Sequence, residues 1–165
     1  PLDEELTVLN DYLEIMHVRF GDRLHVRQDI DDSVRDALVP DLILQPLVEN
    51  AIKHGVAPQE RGGRVTIQAQ RTDGYLQLSV ADDGPGMAGD GLPDTGEGIG
   101  LRNVKERLRR LYGTDHRMQI RPGDQAGVVV DLRIPFHTRP HPPTRASSPA
   151  ADSAPDPPVP ATDVE

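Results

Sequence analysis

The stretch Asp82-Asp83-Gly84-Pro85-Gly86-Met87, followed after residues 88–95 by Gly96-Glu97-Gly98-Ile99-Gly100-Leu101, decides how this sequence is read. Five glycines at 84, 86, 96, 98 and 100 form two clusters. The first closes a run with a two-residue apolar period, so it follows a strand. The second opens a run with a helical period. Glycine-dense backbone at a helix start leaves N–H groups unpaired, at the positive end of the dipole, with no Cβ in the way. That is a cradle for phosphate. Turn glycines alone would explain one Gly-x-Gly; two clusters around the small, polar segment 88–95 favour the cradle. A P-loop is excluded, because no Gly-Lys-Ser/Thr triplet occurs. A dinucleotide fingerprint is excluded too, because the spacing is Gly-x-Gly-x-Gly and no parallel βαβ unit follows.

Outward from the glycines the elements are legible. Residues 64–71 and 75–81 alternate Val65, Ile67, Ala69 and then Leu76, Leu78, Val80, joined by Thr72-Asp73-Gly74. This predicts a hairpin with a tight turn. Residues 99–112 place Leu101, Val104, Leu108 and Leu111 on one helical stripe, and Gly113 stops the helix. Residues 118–121 and 128–134 predict a last strand pair around Gly123-Asp124, and residues 23–30 predict a first strand. Residues 41–54 are apolar at Leu42, Ile43, Leu47, Val48, Ala51 and Ile52 and predict a helix closed by Gly55. Pro46 fits if the regular helix starts near Gln45, since Pro is tolerated in a first turn. Hairpins dominate, so the fold class is α+β: a two-layer sandwich with a mixed sheet.

The helix before the hairpin carries polar residues among its apolar ones. Asn50, Lys53 and His54 are three and four apart and share a face, with Glu49 about a quarter turn away. An Asn oxygen suits Mg²⁺, a hard cation that keeps several waters. Lys53 can meet a phosphate as a point charge. Alone, such a face would be plain solvated surface.

Composition narrows the classes further. The chain has 165 residues, 36% hydrophobic and 27% charged, enough for one domain with a real core. Three Tyr, two Phe and no Trp leave the core to Val, Leu and Ile. No Cys excludes a disulfide framework and a thiolate metal site. A net charge of −9 argues against direct nucleic-acid binding. No apolar run approaches the ~20 residues of a membrane-spanning helix.

Both ends differ from the middle. Leu2, Leu6, Leu9, Leu13, Met16 and Phe20 step by four and three, a coiled-coil seam on one helix. Val8, Tyr12, Ile15 and Val18 add a second strip. No other segment nearby offers a partner helix, so the expected partner lies upstream of Pro1 or in another copy of the chain. The start at Pro1, without Met, suggests a piece of a longer protein. Residues 137–165 hold eight prolines among Ala, Ser, Thr and Asp and have no apolar period. They read as a disordered Pro-rich tail. The expected parts are residues 1–21, the end of a dimerisation helix; residues 22–136, the folded domain; and residues 137–165, the tail.

Asn50-Ala51-x-Lys53-His54, Asp82-x-Gly84-x-Gly86 and Gly96-x-Gly98-x-Gly100-Leu101 resemble the N box and the two glycine boxes of the Bergerat-type ATP-binding fold of histidine kinases, gyrase, Hsp90 and MutL. More narrowly, the chain resembles the C-terminal ATPase domain of LytS-type (YehU-type) sensor histidine kinases. That match rests on Leu2-x-x-Glu5-Leu6, Tyr12-Leu13-x-Ile15, Arg19-Phe20-x-Asp22-Arg23-Leu24, the run Pro40-x-Leu42-x-Leu44-Gln45-Pro46 through Gly55, and Gly98-Ile99-Gly100-Leu101-x-Asn103-Val104-x-x-Arg107-Leu108. It covers residues 2 to about 136.

The resemblance implies roles. Asn50 would bind the Mg²⁺ that bridges the ATP phosphates, Lys53 would approach them, and His54 would pack near the adenine. Asp82 would accept a hydrogen bond from the adenine amino group. Gly84 and Gly86 would let the chain pass close to the nucleotide, and residues 88–95 would be the ATP lid. Gly96, Gly98, Ile99, Gly100 and Leu101 would line the phosphate end, with Asn103 one turn further. Asn50, Glu49 and Lys53 would carry the catalysis. The γ-phosphoryl group would pass to a His on an upstream helix and then to a response regulator, often of LytTR type. The full protein would be a homodimer, and this piece the cytoplasmic domain of a membrane-anchored bacterial sensor.

Some departures matter. Pro46 stands where several relatives carry Glu or Asn, which speaks against efficient hydrolysis. The lid lacks a Phe-containing box. His17 is not the phosphoacceptor. The alternatives are a nucleotide-binding regulatory module without kinase chemistry, or another Bergerat-fold enzyme such as an anti-sigma kinase.

Overall fold

The structure is a computed structural model, and it describes residues 1–86, 98–124 and 126–138. Five strands form one mixed sheet: β1 (Leu24–Ile30), β2 (Gly63–Thr72), β3 (Tyr75–Asp82), β4 (Arg117–Pro122) and β5 (Val128–Pro135). Their spatial order is β1-β2-β3-β5-β4. β1 pairs with β2 in parallel, and the other pairings are antiparallel. The β2–β3 turn has positive φ at both Asp73 (51°) and Gly74 (80°). That is the geometry a two-residue hairpin needs to match strand twist, which an Asp-Gly pair supplies at least cost.

The alternation sorts the sheet into two faces. Val65, Ile67 and Ala69 of β2, Leu76, Leu78 and Val80 of β3, and Val130, Leu132 and Ile134 of β5 are buried. The opposite face carries Gln68, Gln70, Gln77, Ser79, Gln119, Asp131 and Arg133. Helices cover only the apolar face: α1 (Leu2–Phe20), α2 (Leu44–Ala51) and α3 (Ile99–Tyr112). This is the α+β two-layer sandwich expected.

α2 begins at Leu44, which places Pro46 in its first turn as the chemistry of Pro requires. Its end differs from expectation. After Ala51 the coil widens into a π-helical turn, Ile52–Val56, in which Ala57 N–H donates to the Ile52 carbonyl at 2.8 Å. The helix runs past Gly55 instead of stopping there. Such a turn is a frequent companion of functional sites.

The seam of α1 also differs. Leu2, Leu6, Leu9, Leu13 and Phe20 are buried in the domain's own core, with α2 as the neighbouring helix, and Met16 is half-buried. No external helix is needed to cover them. Strand β1 and the segment 31–43, which holds only a short 3-10 turn at Asp32–Val34, separate α1 from α2 in sequence and hide this pairing from a periodicity argument. The second strip stays exposed at Val8, Ile15 and Val18, the last at 90%. Leu111, expected inward on α3, is 60% exposed. It lies in the last turn, beyond the core contact of Leu108. Residues 137 and 138, expected in the tail, pack on the domain: Leu38 N–H donates to the His137 carbonyl, and Thr138 bridges Ala37. The rest of the Pro-rich tail, the lid at 88–95 and Gly96 lie outside the described residues.

Candidate nucleotide site

The period that buries Leu76, Leu78 and Val80 also buries the next residue in that series, Asp82. At 8% exposure it is the one buried polar side chain among the described residues. A carboxylate in an apolar series is costly unless its oxygens find donors. Two backbone groups serve. Gly84 N–H donates to Asp82 Oδ1 at 2.9 Å, and Val128 N–H donates as well.

Three glycines make room for it. A Cβ on Gly55 would stand 2.6 Å from Asp82 Oδ1, and one on Gly84 would stand 2.8 Å from the same oxygen. A Cβ on Gly127 would run into the Asp82 carbonyl, and the φ of 76° there disfavours any side chain. The wide turn of residues 52–56 brings Gly55 to this point. Gln59 Nε2 holds the turn by donating to the Gly55 carbonyl at 2.7 Å. Asp83 ties the same corner to β2 by accepting from Arg64 N–H at 2.7 Å.

Burial pushes the Asp82 carboxyl above the ordinary carboxylate range; the two N–H donors and His54 pull it partly back, and Asp83 adds to the rise. The sign of the linkage follows. Below the unfolded-state value both states hold the proton, and the contribution of Asp82 to stability is fully present. It is lost as pH rises through the raised folded-state value. Thermal melts of the nucleotide-free chain and of Asp82→Asn across pH 3–8 should therefore show the parent's relative stability falling with rising pH. A pH-independent difference would contradict a raised carboxyl.

The other expected residues fall as follows. Asn50 is half-buried on α2. Glu49 is exposed, and its carboxylate accepts from Gln45 Nε2 at 2.8 Å. Lys53 and His54 are exposed in the π-helical turn, so the 3.6 period that put them on one face with Asn50 stops applying at Ala51. His54 nonetheless acts electrostatically on Asp82. Gly86 has φ 81°. Gly98 is the N-cap of α3, with no side-chain cap and nothing within 4 Å of its Cβ position. The first N–H groups of α3 have no partner within the helix, and Gly98 carries no side chain to block an anion's approach to them. Gly100 packs on Pro46, its Cβ position 3.3 Å from Pro46 Cβ. Pro46 is therefore where α2 meets α3. Ile99 is exposed, Asn103 is exposed, and Leu101 is 3% exposed, so Leu101 offers a ligand only its backbone. Sequence reasoning missed Gly127, Gln59 and Asp83. Gly127, directly before the β-branched run Val128-Val129-Val130, was the available signal.

The structure thus places a buried carboxylate in a glycine-lined corner beyond the end of α2, at Gly55, and the start of α3 against the first turn of α2, at Pro46. The donor set fits a nucleotide: an acceptor for an amino group at Asp82, and at the start of α3 the N–H groups that a helix leaves without internal partners, which suit anionic oxygens.

Comparison with known proteins agrees. The chain is 38% identical over 135 residues to the sensor histidine kinase YesM of Bacillus subtilis, covering 81% of this chain and 23% of that protein. It is 35% identical over 147 residues to the sensor protein LytS of Oceanobacillus iheyensis, covering 82% and 25%. It therefore spans about a quarter of the length of these curated relatives. Among solved structures, full-length ShkA in complex with AMPPNP superposes with a TM-score of 0.56 at 25% identity, covering 84% of this chain and 31% of that one. Residues 35–138 match the family described as histidine kinase-, DNA gyrase B- and HSP90-like ATPases, and the chain belongs to that family.

Proposed function

We propose that this chain is the ATP-binding catalytic domain of a LytS-type sensor histidine kinase. It passes the γ-phosphoryl group of ATP to a His on a helix upstream of Pro1, and from there to an Asp of a response regulator. The observation that carries this reading is Asp82, a buried carboxylate at the corner between α2 and the glycine segments. Its raised proton affinity and its burial suit an acceptor for the adenine amino group. The AMPPNP held by the ShkA structure supports nucleotide in this fold.

ATP and Mg²⁺ would use the remaining residues. Gly84 and Gly86 pass beside the base, and His54 lies near it. The N–H groups at Gly98, Ile99, Gly100 and Leu101, with Gly96 and Asn103, receive the phosphates, and Lys53 adds a positive charge. No cluster of three acidic or His side chains able to hold a metal occurs among the described residues. Mg²⁺ would then be bound by the Asn50 oxygen, by phosphate and by water, the ligand set it prefers. When bound, it neutralises charge developing on the transferred group. Phosphoryl transfer is mostly positioning and charge stabilisation, and this set supplies both. Glu49, to act as a base, must release Gln45. Pro46 can neither activate water nor bind metal, which favours transfer over hydrolysis.

The relatives' names support a two-component pathway. We assign a LytTR-type response regulator as partner, homodimerisation of the full protein through the helix that α1 ends, and a cytoplasmic position in a membrane-anchored sensor. No helix among the described residues is long and apolar enough to cross a membrane.

Labelled ATP given to the full-length protein tests the assignment. An acid-labile phosphohistidine supports it; nucleotide binding without a label identifies a regulatory module instead. In the isolated chain, Asn50→Ala is expected to abolish the tightening of ATP binding by Mg²⁺. Titration with and without Mg²⁺ checks this, and an intact effect moves the metal elsewhere.

A further inference from the structure

Two residues of the LytS-type motif have no part in the site described above: Glu5 and Arg107. They meet at one peptide group. Glu5, on α1, accepts from Leu42 N–H at 2.6 Å, Ile43 N–H at 2.8 Å and Leu44 N–H at 3.3 Å. Arg107, on α3, donates to the Asp41 carbonyl. The Asp41 carbonyl and the Leu42 N–H belong to the same peptide. One helix grips its oxygen and another its nitrogen.

That peptide is one the chain would not hold unaided. Leu42 has φ 54°, the left-handed region, which costs a non-glycine residue about 1–2 kcal/mol. Its side chain is 50% exposed, so burial does not repay this. α2 begins two residues later, and its N-cap, Ile43, has no side-chain cap of its own. The orphan N–H groups at its start are met by a carboxylate from α1, whose charge also opposes the helix dipole.

We propose that Glu5 and Arg107 form a positioning clamp that sets α2, and with it Asn50, relative to α1 and α3. Asn50 lies six residues along α2 from Leu44. A small rotation of α2 about its own axis therefore moves the Asn50 oxygen. Asp82 stands on β3 and is not held by the clamp. Displacement of α1 thus acts first on the metal end of the site, while Asp82 itself stays fixed by the pairing of β3 and is reached only through the turn that seats Gly55 against it. This inference rests on the nucleotide reading above.

The test uses the whole 165-residue chain as Glu5→Ala, Glu5→Gln, Arg107→Ala and the Glu5/Arg107 double alanine. ATP affinity is measured with and without Mg²⁺. Loss of the clamp should cut Mg²⁺-dependent tightening about tenfold, the range for residues that orient a metal ligand. Affinity without Mg²⁺ should stay within about twofold. Glu5→Gln, which keeps one acceptor oxygen, should fall between. Equal losses in both conditions would mean general destabilisation and overturn the proposal, as would no loss in either. Thermal melts of the same four variants give a cycle that needs no nucleotide. Both side chains hold one peptide, so the double variant should lose less than the two single losses together; additive losses overturn the clamp. If the parent chain binds no ATP, the nucleotide reading fails, and this cycle still decides the clamp.

Discussion

Asp82→Asn is expected to weaken ATP binding by about 1.5–3 kcal/mol, roughly 10- to 150-fold, the range for losing a charge-assisted hydrogen bond. The carboxylate is an acceptor at both oxygens. An amide turns one of them into a donor, which faces the adenine amino group or Val128 N–H with the wrong polarity. The effect is large because the group is buried among apolar neighbours, where water cannot substitute. Calorimetric titration of the two chains with ATP measures it. GTP supplies the control, since its base presents a carbonyl where adenine has an amino group, and the variant should bind GTP relatively better. Unchanged ATP affinity would remove Asp82 from the adenine contact.

Gly127→Ala is expected to cost about 3 kcal/mol or more of folding stability and to remove nucleotide binding with it. Two penalties add. The residue has φ 76°, where any side chain is strained. Its Cβ would also overlap the backbone carbonyl of Asp82 and approach Asp82 Oδ1 to 2.8 Å. The carbonyl belongs to β3 in the middle of the sheet and cannot yield as a flexible side chain would. Relief must come from withdrawing the β4–β5 turn, which takes Val128 N–H away from the carboxylate. Urea unfolding together with ATP titration reads both effects. A stable variant that still binds ATP would show that the corner is looser than its geometry states.

The two cases show where sequence reasoning reached and where it stopped. The β2–β3 hairpin was legible because alternation and Asp73-Gly74 are local signals. α3 was legible over its full span, Ile99–Tyr112, because Gly98 and Gly113 bracket the helical stripe, although its last member, Leu111, is exposed. Asp82 stands out in the sequence through its motif, and its burial follows from simple continuation of the Leu76, Leu78, Val80 series. Gly127 lies 45 residues further on, and only the pairing of β3 with β5 brings the two together. The same holds for α1. Its seam is local and was found, whereas its partner α2 lies beyond a strand and a coil, and only the folded chain joins them. The π-helical turn had no sequence signature, and its result, Gly55 against Asp82, joins α2 to a strand that lies later in the chain.

The parallel pairing of β1 with β2 bears on the order in which the domain assembles. β2 and β3 are joined by two residues and can close early. β1 reaches β2 only across the segment that contains α2, and closing so long a loop is slow. Asn50 therefore sits in the part of the chain expected to consolidate last. In a refolding experiment, hydrogen-exchange protection should appear in β2 and β3 before the Leu44–Ala51 helix, so the ability to hold nucleotide arises only at the final step.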